Sequence, residues 1–338
     1  MKTKIVYIIT SNGKDHYVEQ ALMSIWSCKH YNPDAKITVV ADKDSQKFVE
    51  KYKEFNELVS EFIYKEFESN VSKMVCSRIL KTTLRNIISG DFLFVDTDTI
   101  FCDSIGEIDN LNFNIALVED LHFPNLKSSP FKETICNKFF SFYKTSPKLD
   151  LTYFNSGVIF AKDTKINKEF YQQWNKNWNI IKESGYYFDQ LPLLRTVMEY
   201  PNLIHKLDPR LNAQIFASIK YLSKGKILHF FNYNKTSKTF SHPFFSYDYY
   251  LKIKDYGLST EIKSDIVNCK ELFLTPTIIL GGKDYFFWVS NPCSILKKFQ
   301  DIFFLNIIIN SFLKLCYRIL LIVEKIKKSN NKELAVQK

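Results

Sequence analysis

The chain has 338 residues, 46% hydrophobic and 24% charged, so it can bury a sizeable core and does not belong to the disordered class. Its formal net charge is +10, yet nine Lys/Arg against three Asp/Glu lie from Cys293 onward, so the basic character belongs mostly to the C-terminal tail. No helix-turn-helix, RNP or zinc-finger pattern accompanies that charge, which argues against a nucleic-acid partner. The seven cysteines are odd in number, scattered and without a CxxC pair; they signal neither a disulfide framework nor a zinc site and read as reduced, cytosolic thiols. Aromatic residues reach 16%, which fits a Phe-rich core or a carbohydrate- or membrane-facing surface equally well.

In chain order, MKTKIVYIITSNG has too short an apolar run and no small-residue cleavage site for a signal peptide. It reads as a first strand, Lys4 to Ser11, closed by Asn12-Gly13, and the main domain is expected inside the cell. An apolar-periodic stretch from Tyr17 to Cys28 predicts a helix and Lys36 to Ala41 a second strand. Lys43 to Tyr52 and Ser72 to Ile88 read as helices, the latter with Met74, Ile79, Leu80, Leu84 and Ile87 on one apolar face. FLFVDTDTIF is a buried strand that runs into carboxylates. Between Phe123 and Leu149 the chain is polar and irregular apart from Phe139, Phe140, Phe142 and Tyr143; a binding loop and a peripheral helix both fit. Tyr153 to Ala161 restores a strand, and Glu169 to Glu183 predicts a helix on which Trp174 and Trp178 read as packing rather than sugar contacts. Alternating strands and helices imply a mostly parallel sheet covered on both faces, with ligands at the carboxyl ends of the strands.

Asp96 and Asp98 stand at i and i+2 after a fully apolar strand, so both side chains are expected on one face, converging on a hard cation such as Mn or Mg. A cation there bridges a diphosphate and neutralises charge on a departing phosphate.

From this point the order of motifs resembles GT-A glycosyltransferases, and within them glycosyltransferase family 8, over roughly residues 1 to 240. The resemblance rests on the first strand, Arg78 and Lys81 on the helix before the DxD, Asp96 and Asp98, YFNSGV at Tyr153 to Val158, FDQ at Phe188 to Gln190, and KILHFFN. It implies a GT-A fold, a Rossmann-like mixed α/β sheet with flanking helices, over residues 1–290. It also implies transfer of a hexose from a UDP-sugar with retention, by front-face displacement. The resemblance makes His229 the third metal ligand beside Asp96 and Asp98 and Lys235 a diphosphate contact, with Ile8, Thr10, Asn12 and Thr97 at the nucleotide. Arg78 and Lys81 resemble donor-binding positions, with solvated helix-surface cations as the alternative. Asp120 and Asn155 are placed at the transferred sugar, with Gly157 allowing close approach of backbone and ligand. Asp189 is read as holding sugar hydroxyls and Gln190 as lying near the anomeric carbon. Thr10 and Ser11 depart from the family pattern, which often carries acidic residues there, so base and ribose recognition is less well specified.

Residues 291–338 form a basic tail. Its helical, apolar stretch from Ser294 to Lys328 has no uncharged run long enough to span a bilayer. Asn306, Asn310, Lys314 and Arg318 line a polar stripe, and Lys325, Lys327 and Lys328 close the end. This predicts a helix lying on an anionic membrane, with Phe286, Phe287 and Trp288 beside it and a lipid-linked or glycan acceptor within reach. Packing on protein, including a homodimer, is the alternative. At the level of function, the alternatives are a non-catalytic sugar-nucleotide or glycan-binding protein, a scaffold driven by the tail, and a nucleotidyltransferase, for which TSNGKDHY is a poor triphosphate loop.

Overall fold

The computed structural model describes residues 1–215, 220–230, 242–272, 295, 307–308, 310–319 and 322. The chain divides into two compact units, Met1–Ile279 and Leu280–Lys338.

The first unit begins with β1 (Lys4–Ile9), α1 (Tyr17–Tyr31), β2 (Ile37–Asp42), α2 (Gln46–Val49), α3 (Lys53–Leu58), β3 (Glu61–Lys65), α4 (Lys73–Thr82) and α5 (Leu84–Ile87). β4 (Phe92–Val95), β5 (Thr99–Phe101), β6 (Ile115–Glu119), α6 (Lys132–Tyr143), β7 (Phe154–Ala161) and α7 (Lys165–Lys182) follow. It continues through α8 (Gln190–Glu199), β8 (Ile204–Lys206), β9 (Ala213–Gln214), β10 (Ile227–His229), α9 (Tyr247–Tyr256) and α10 (Thr260–Val267).

Seven strands form one mixed sheet in the order β3-β2-β1-β4-β7-β6-β8, and β5-β10-β9 form a second. Strands β1 to β4 are mutually parallel where they pair, β7 runs antiparallel to both β4 and β6, and β6 pairs parallel with β8. Strands β2, β4 and β7 are buried at every residue, as strands covered on both faces must be. In β1 the pleat sends Ile5, Tyr7 and Ile9 to one core cluster and Val6 and Ile8 to the other. Trp174 and Trp178 are fully buried in α7.

Several expectations are corrected. FLFVDTDTIF is two strands, because the chain leaves the large sheet after Val95 and enters the small one at Thr99. The helix expected from Ser72 to Ile88 breaks at Thr83, where ψ is 7°. There the Thr82 and Thr83 hydroxyls donate to Arg78 O and Ile79 O at 2.8 and 2.7 Å, competing with the helical ladder. Met74 is 56% exposed and does not join the apolar face. Lys43 to Tyr52 is a single 3-10 turn at Lys43–Ser45 followed by the short α2. In the polar region the helix alternative holds: α6 buries Ile135 and Phe139 against Leu126, Leu191 and Leu194.

In the second unit, residues 310–319 are helical, with Phe312, Leu315 and Tyr317 exposed together with Lys314 and Arg318. Among the described residues no helix is long and apolar enough to cross a membrane.

Candidate functional site

The switch between sheets places Asp96-Thr97-Asp98 in a turn rather than in a strand. Two backbone bonds pin this turn: Asp96 N–H donates to Gly157 O of β7 at 2.7 Å, and Phe230 N–H, just past β10, donates to Asp98 O at 2.9 Å. Thr99 Oγ1 donates to Asp96 O at 2.9 Å. The carboxylates therefore converge because the chain turns, not because a strand alternates. Register pairs His229 of β10 with Thr99 of β5, which brings the imidazole to the same corner. One ligand atom from each of Asp96, Asp98 and His229 lies within 4.8 Å of the other two, and His229 Nε2 is 3.1 Å from Asp98 Oδ1.

The donor set fits a divalent cation. Two carboxylate oxygens favour a hard ion such as Mn or Mg, and one imidazole nitrogen completes a three-residue protein face. Burial pushes the Asp96 carboxyl up and the neighbouring Asp98 adds to this, against the pull of Lys81. A cation held by both carboxylates would offset that mutual repulsion. The reading of Gly157 as room for a ligand is corrected, because a Cβ at this position would overlap the His229 ring and lie 2.8 Å from Nδ1. The space that glycine leaves belongs to the histidine.

A second cluster adjoins the first through Lys81. This lysine is buried, so the alternative of a solvated helix-surface cation is excluded for it. Its Nζ is 3.1 Å from Asp96 Oδ1 and 3.3 Å from Asp189 Oδ2, and it donates to Ser156 Oγ at 3.2 Å. Arg78 Nε lies 3.5 Å from Asp189 Oδ1, and the Ser156 hydroxyl donates to Asp189 Oδ2 at 2.8 Å. Burial alone would raise the Asp189 carboxyl, but Lys81 and then Arg78 outweigh it and hold the group well below the usual carboxylate range.

The third part is Asp120, just past β6. Asn155 Nδ2 and Gln190 Nε2 both donate to Asp120 Oδ1, at 3.0 and 2.9 Å. Burial raises this carboxyl and the two amide bonds oppose the rise. The next two residues, Leu121 and His122, have φ of 50° and 60°, a left-handed pair without glycine. Gln214 of β9 holds them: its Oε1 accepts from Leu121 N–H at 2.7 Å, its Nε2 donates to Glu119 O at 2.9 Å, and its own N–H donates to His122 Nε2 at 3.2 Å.

The remaining candidates are more dispersed. Ile8 packs in the apolar cluster with Val6, Val40 and Leu80. The Thr10 hydroxyl donates to Lys73 O at 3.0 Å, and Lys73 ion-pairs with Asp42 and Asp44. Asn12 is exposed, its Oδ1 accepting from Lys14 N–H at 2.8 Å to shape the turn before α1. Thr97 is half-buried within the carboxylate turn. Lys235 lies outside the described residues, as do Phe286, Phe287, Trp288 and most of the tail helix. Sequence reasoning missed Asn212, Gln214, Ser156 and the Asp42–Lys73 pair. Only the polar PRLNAQ interrupting an apolar context hinted at the first two.

No family model and no curated protein matches the chain. Among solved structures it is similar to mouse xyloside xylosyltransferase 1 in its apo form, with 14% identity, TM-score 0.46, and coverage of 68% of this chain and 98% of that one. It is also similar to the glycosyltransferase GlyE of Streptococcus pneumoniae TIGR4, with 16% identity, TM-score 0.47, and coverage of 82% and 67% respectively.

Proposed function

We propose that the chain is a metal-dependent GT-A glycosyltransferase that moves a hexose from a UDP-sugar to a glycan or lipid-linked acceptor with retention of configuration. The observation that carries this reading is the adjacency of Asp96, Asp98 and His229 to the Asp189–Gln190–Asp120–Asn155 cluster, with Lys81 between them. Such an arrangement sets a cation-binding corner for a diphosphate beside a group of oriented carboxylates and amides suited to sugar hydroxyls. When bound, the ion supplies Lewis-acid charge at the leaving phosphate. Lys81 and Arg78 keep Asp189 ionised, so it acts as an acceptor only and holds hydroxyl donors. Gln190 and Asn155, both anchored on Asp120, are fixed in orientation, and their pre-set dipoles need no rearrangement when charge develops nearby. The family 8 resemblance of the motif order supports the UDP-sugar and the retaining outcome. The basic tail supports a cytoplasmic enzyme docked on an anionic membrane through residues 294–328, where a lipid-linked precursor of a surface polysaccharide is presented.

The test is UDP release from a panel of UDP-hexoses, with and without Mn, by the native chain and by Asp98→Ala. The expected result is Mn-dependent release from one donor, reduced at least about 100-fold in the variant, since loss of the ion removes several kcal/mol of charge stabilisation. If UDP and Mn neither bind nor react, the non-catalytic reading replaces this one.

A further inference from the structure

A run of amides connects the cation corner to Asp120, and its hydrogen bonds have only one consistent direction. The anchor is the backbone of Gly157, whose N–H donates to Asn155 Oδ1 at 2.9 Å; a peptide N–H cannot be reversed, so that side-chain atom is the oxygen. The Asn155 amide nitrogen then faces Asp120 Oδ1 at 3.0 Å, as an acceptor carboxylate requires. Asn212 meets Asn155 Oδ1 at 2.9 Å, and because that atom is an oxygen, Asn212 must present its Nδ2 there. Its own Oδ1 is thereby turned to His229 Nδ1, at 2.9 Å. An amide oxygen only accepts, so Nδ1 carries the proton. In the neutral ring the lone pair is then on Nε2, the nitrogen 3.1 Å from Asp98 Oδ1. Asn212 and His229 are both buried.

We propose that Asn212 is a positioning residue that sets the tautomer and ring orientation of His229 for binding a divalent cation through Nε2, and that Asn155 ties this setting to the Asp120–Gln190 pair. The inference rests on reading Asp96, Asp98 and His229 as a cation site. A group holding the second nitrogen of a ligating histidine fixes the ring and raises its basicity, and its loss weakens metal affinity roughly 10- to 100-fold. Asn212 does this with a neutral acceptor whose orientation is dictated, through Asn155, by one backbone N–H.

The test measures Mn2+ binding by the loss of the free-ion electron paramagnetic resonance signal, on the full chain, for the native protein, Asp98→Ala and Asn212→Leu. Saturable binding that Asp98→Ala abolishes and Asn212→Leu weakens roughly 10- to 100-fold, with the melting transition retained, is the expected result. Native binding lost in Asp98→Ala but unchanged in Asn212→Leu overturns the role of Asn212 and leaves the cation site standing. If the native chain shows no saturable binding, the cation site fails and this inference with it. A second measurement needs no variant and is independent of whether Asn212→Leu folds. Long-range proton–nitrogen correlation on the native, metal-free protein at about pH 8, above the ordinary histidine range, reads directly which His229 nitrogen carries the proton before any ion fixes it. A proton on Nδ1 supports the inference; a proton on Nε2 alone overturns it.

Discussion

Lys81 is the residue on which the two charge clusters depend. Its ammonium is the nearest cation to Asp189 and also touches Asp96, so Lys81→Met leaves the buried carboxylate with the Ser156 hydroxyl and, as its remaining ion-pair partner, Arg78 at 3.5 Å. Removing one partner of a buried pair typically costs about 3 kcal/mol or more. The Asp189 carboxyl is held below its ordinary value in the folded protein, so its contribution is present at neutral pH and is lost as pH falls through that depressed value. The expected outcome is that Lys81→Met unfolds at lower urea concentration at pH 7 and that the gap to the native protein narrows below about pH 4, as the variant's carboxyl protonates. Equal gaps at both pH values would show that Lys81 acts through packing on Phe94, whose ring centre it approaches at 4.9 Å, rather than through charge. The sequence revealed Asp96 and Asp98 as candidates because they end a fully apolar strand, whereas His229 and the Asp189-Gln190 pair entered only through the family resemblance. It could not reveal that Lys81 points inward, since a lysine on an amphipathic helix has the same pattern whichever way its end turns. Nor could it single out Asn212, whose importance lies entirely in which two atoms its amide faces.

At the scale of elements, the short β9 acts as a clamp on the turn that follows β6. Two adjacent left-handed residues without glycine persist only where the surroundings over-determine them, and Gln214 supplies that constraint through both ends of its side chain. Gln214→Leu removes the side-chain partners of the half-buried Leu121 N–H and Glu119 carbonyl, at a cost of about 1 kcal/mol for each lost hydrogen bond. Urea unfolding should register that loss, and hydrogen exchange at the Leu121 amide should become faster than at neighbouring strand amides. Unchanged exchange at Leu121 would mean that the turn holds itself. The same scale explains which elements were legible. β1, β2 and β4 follow from continuous β-branched, aliphatic and aromatic runs, β7 from the apolar residues on either side of Asn-Ser-Gly, and α7 from its period. The reversal of β7 and the transfer of β5 to a second sheet were not legible, because strand direction and sheet membership arise from pairing partners distant in sequence.

For the whole molecule, the tail is proposed to set where the reaction takes place. Removing residues 294–338 is expected to release the protein from vesicles containing anionic lipid, while the full chain co-sediments with them and comes off as salt is raised. Equal sedimentation of both would assign attachment to another surface. Assembly of the large sheet carries its own timing. β7 lies between β4 and β6 although it is made after both, so at about 5–20 residues per second the free edge of β4 waits several seconds on the ribosome for its neighbour. During that interval FLFV, four apolar residues paired with β1 on one side only, stands at an open edge. Biosynthesis thus passes through a stage at which the half-built sheet is most prone to pair with another nascent chain, and the arrival of residues 154–161 ends it.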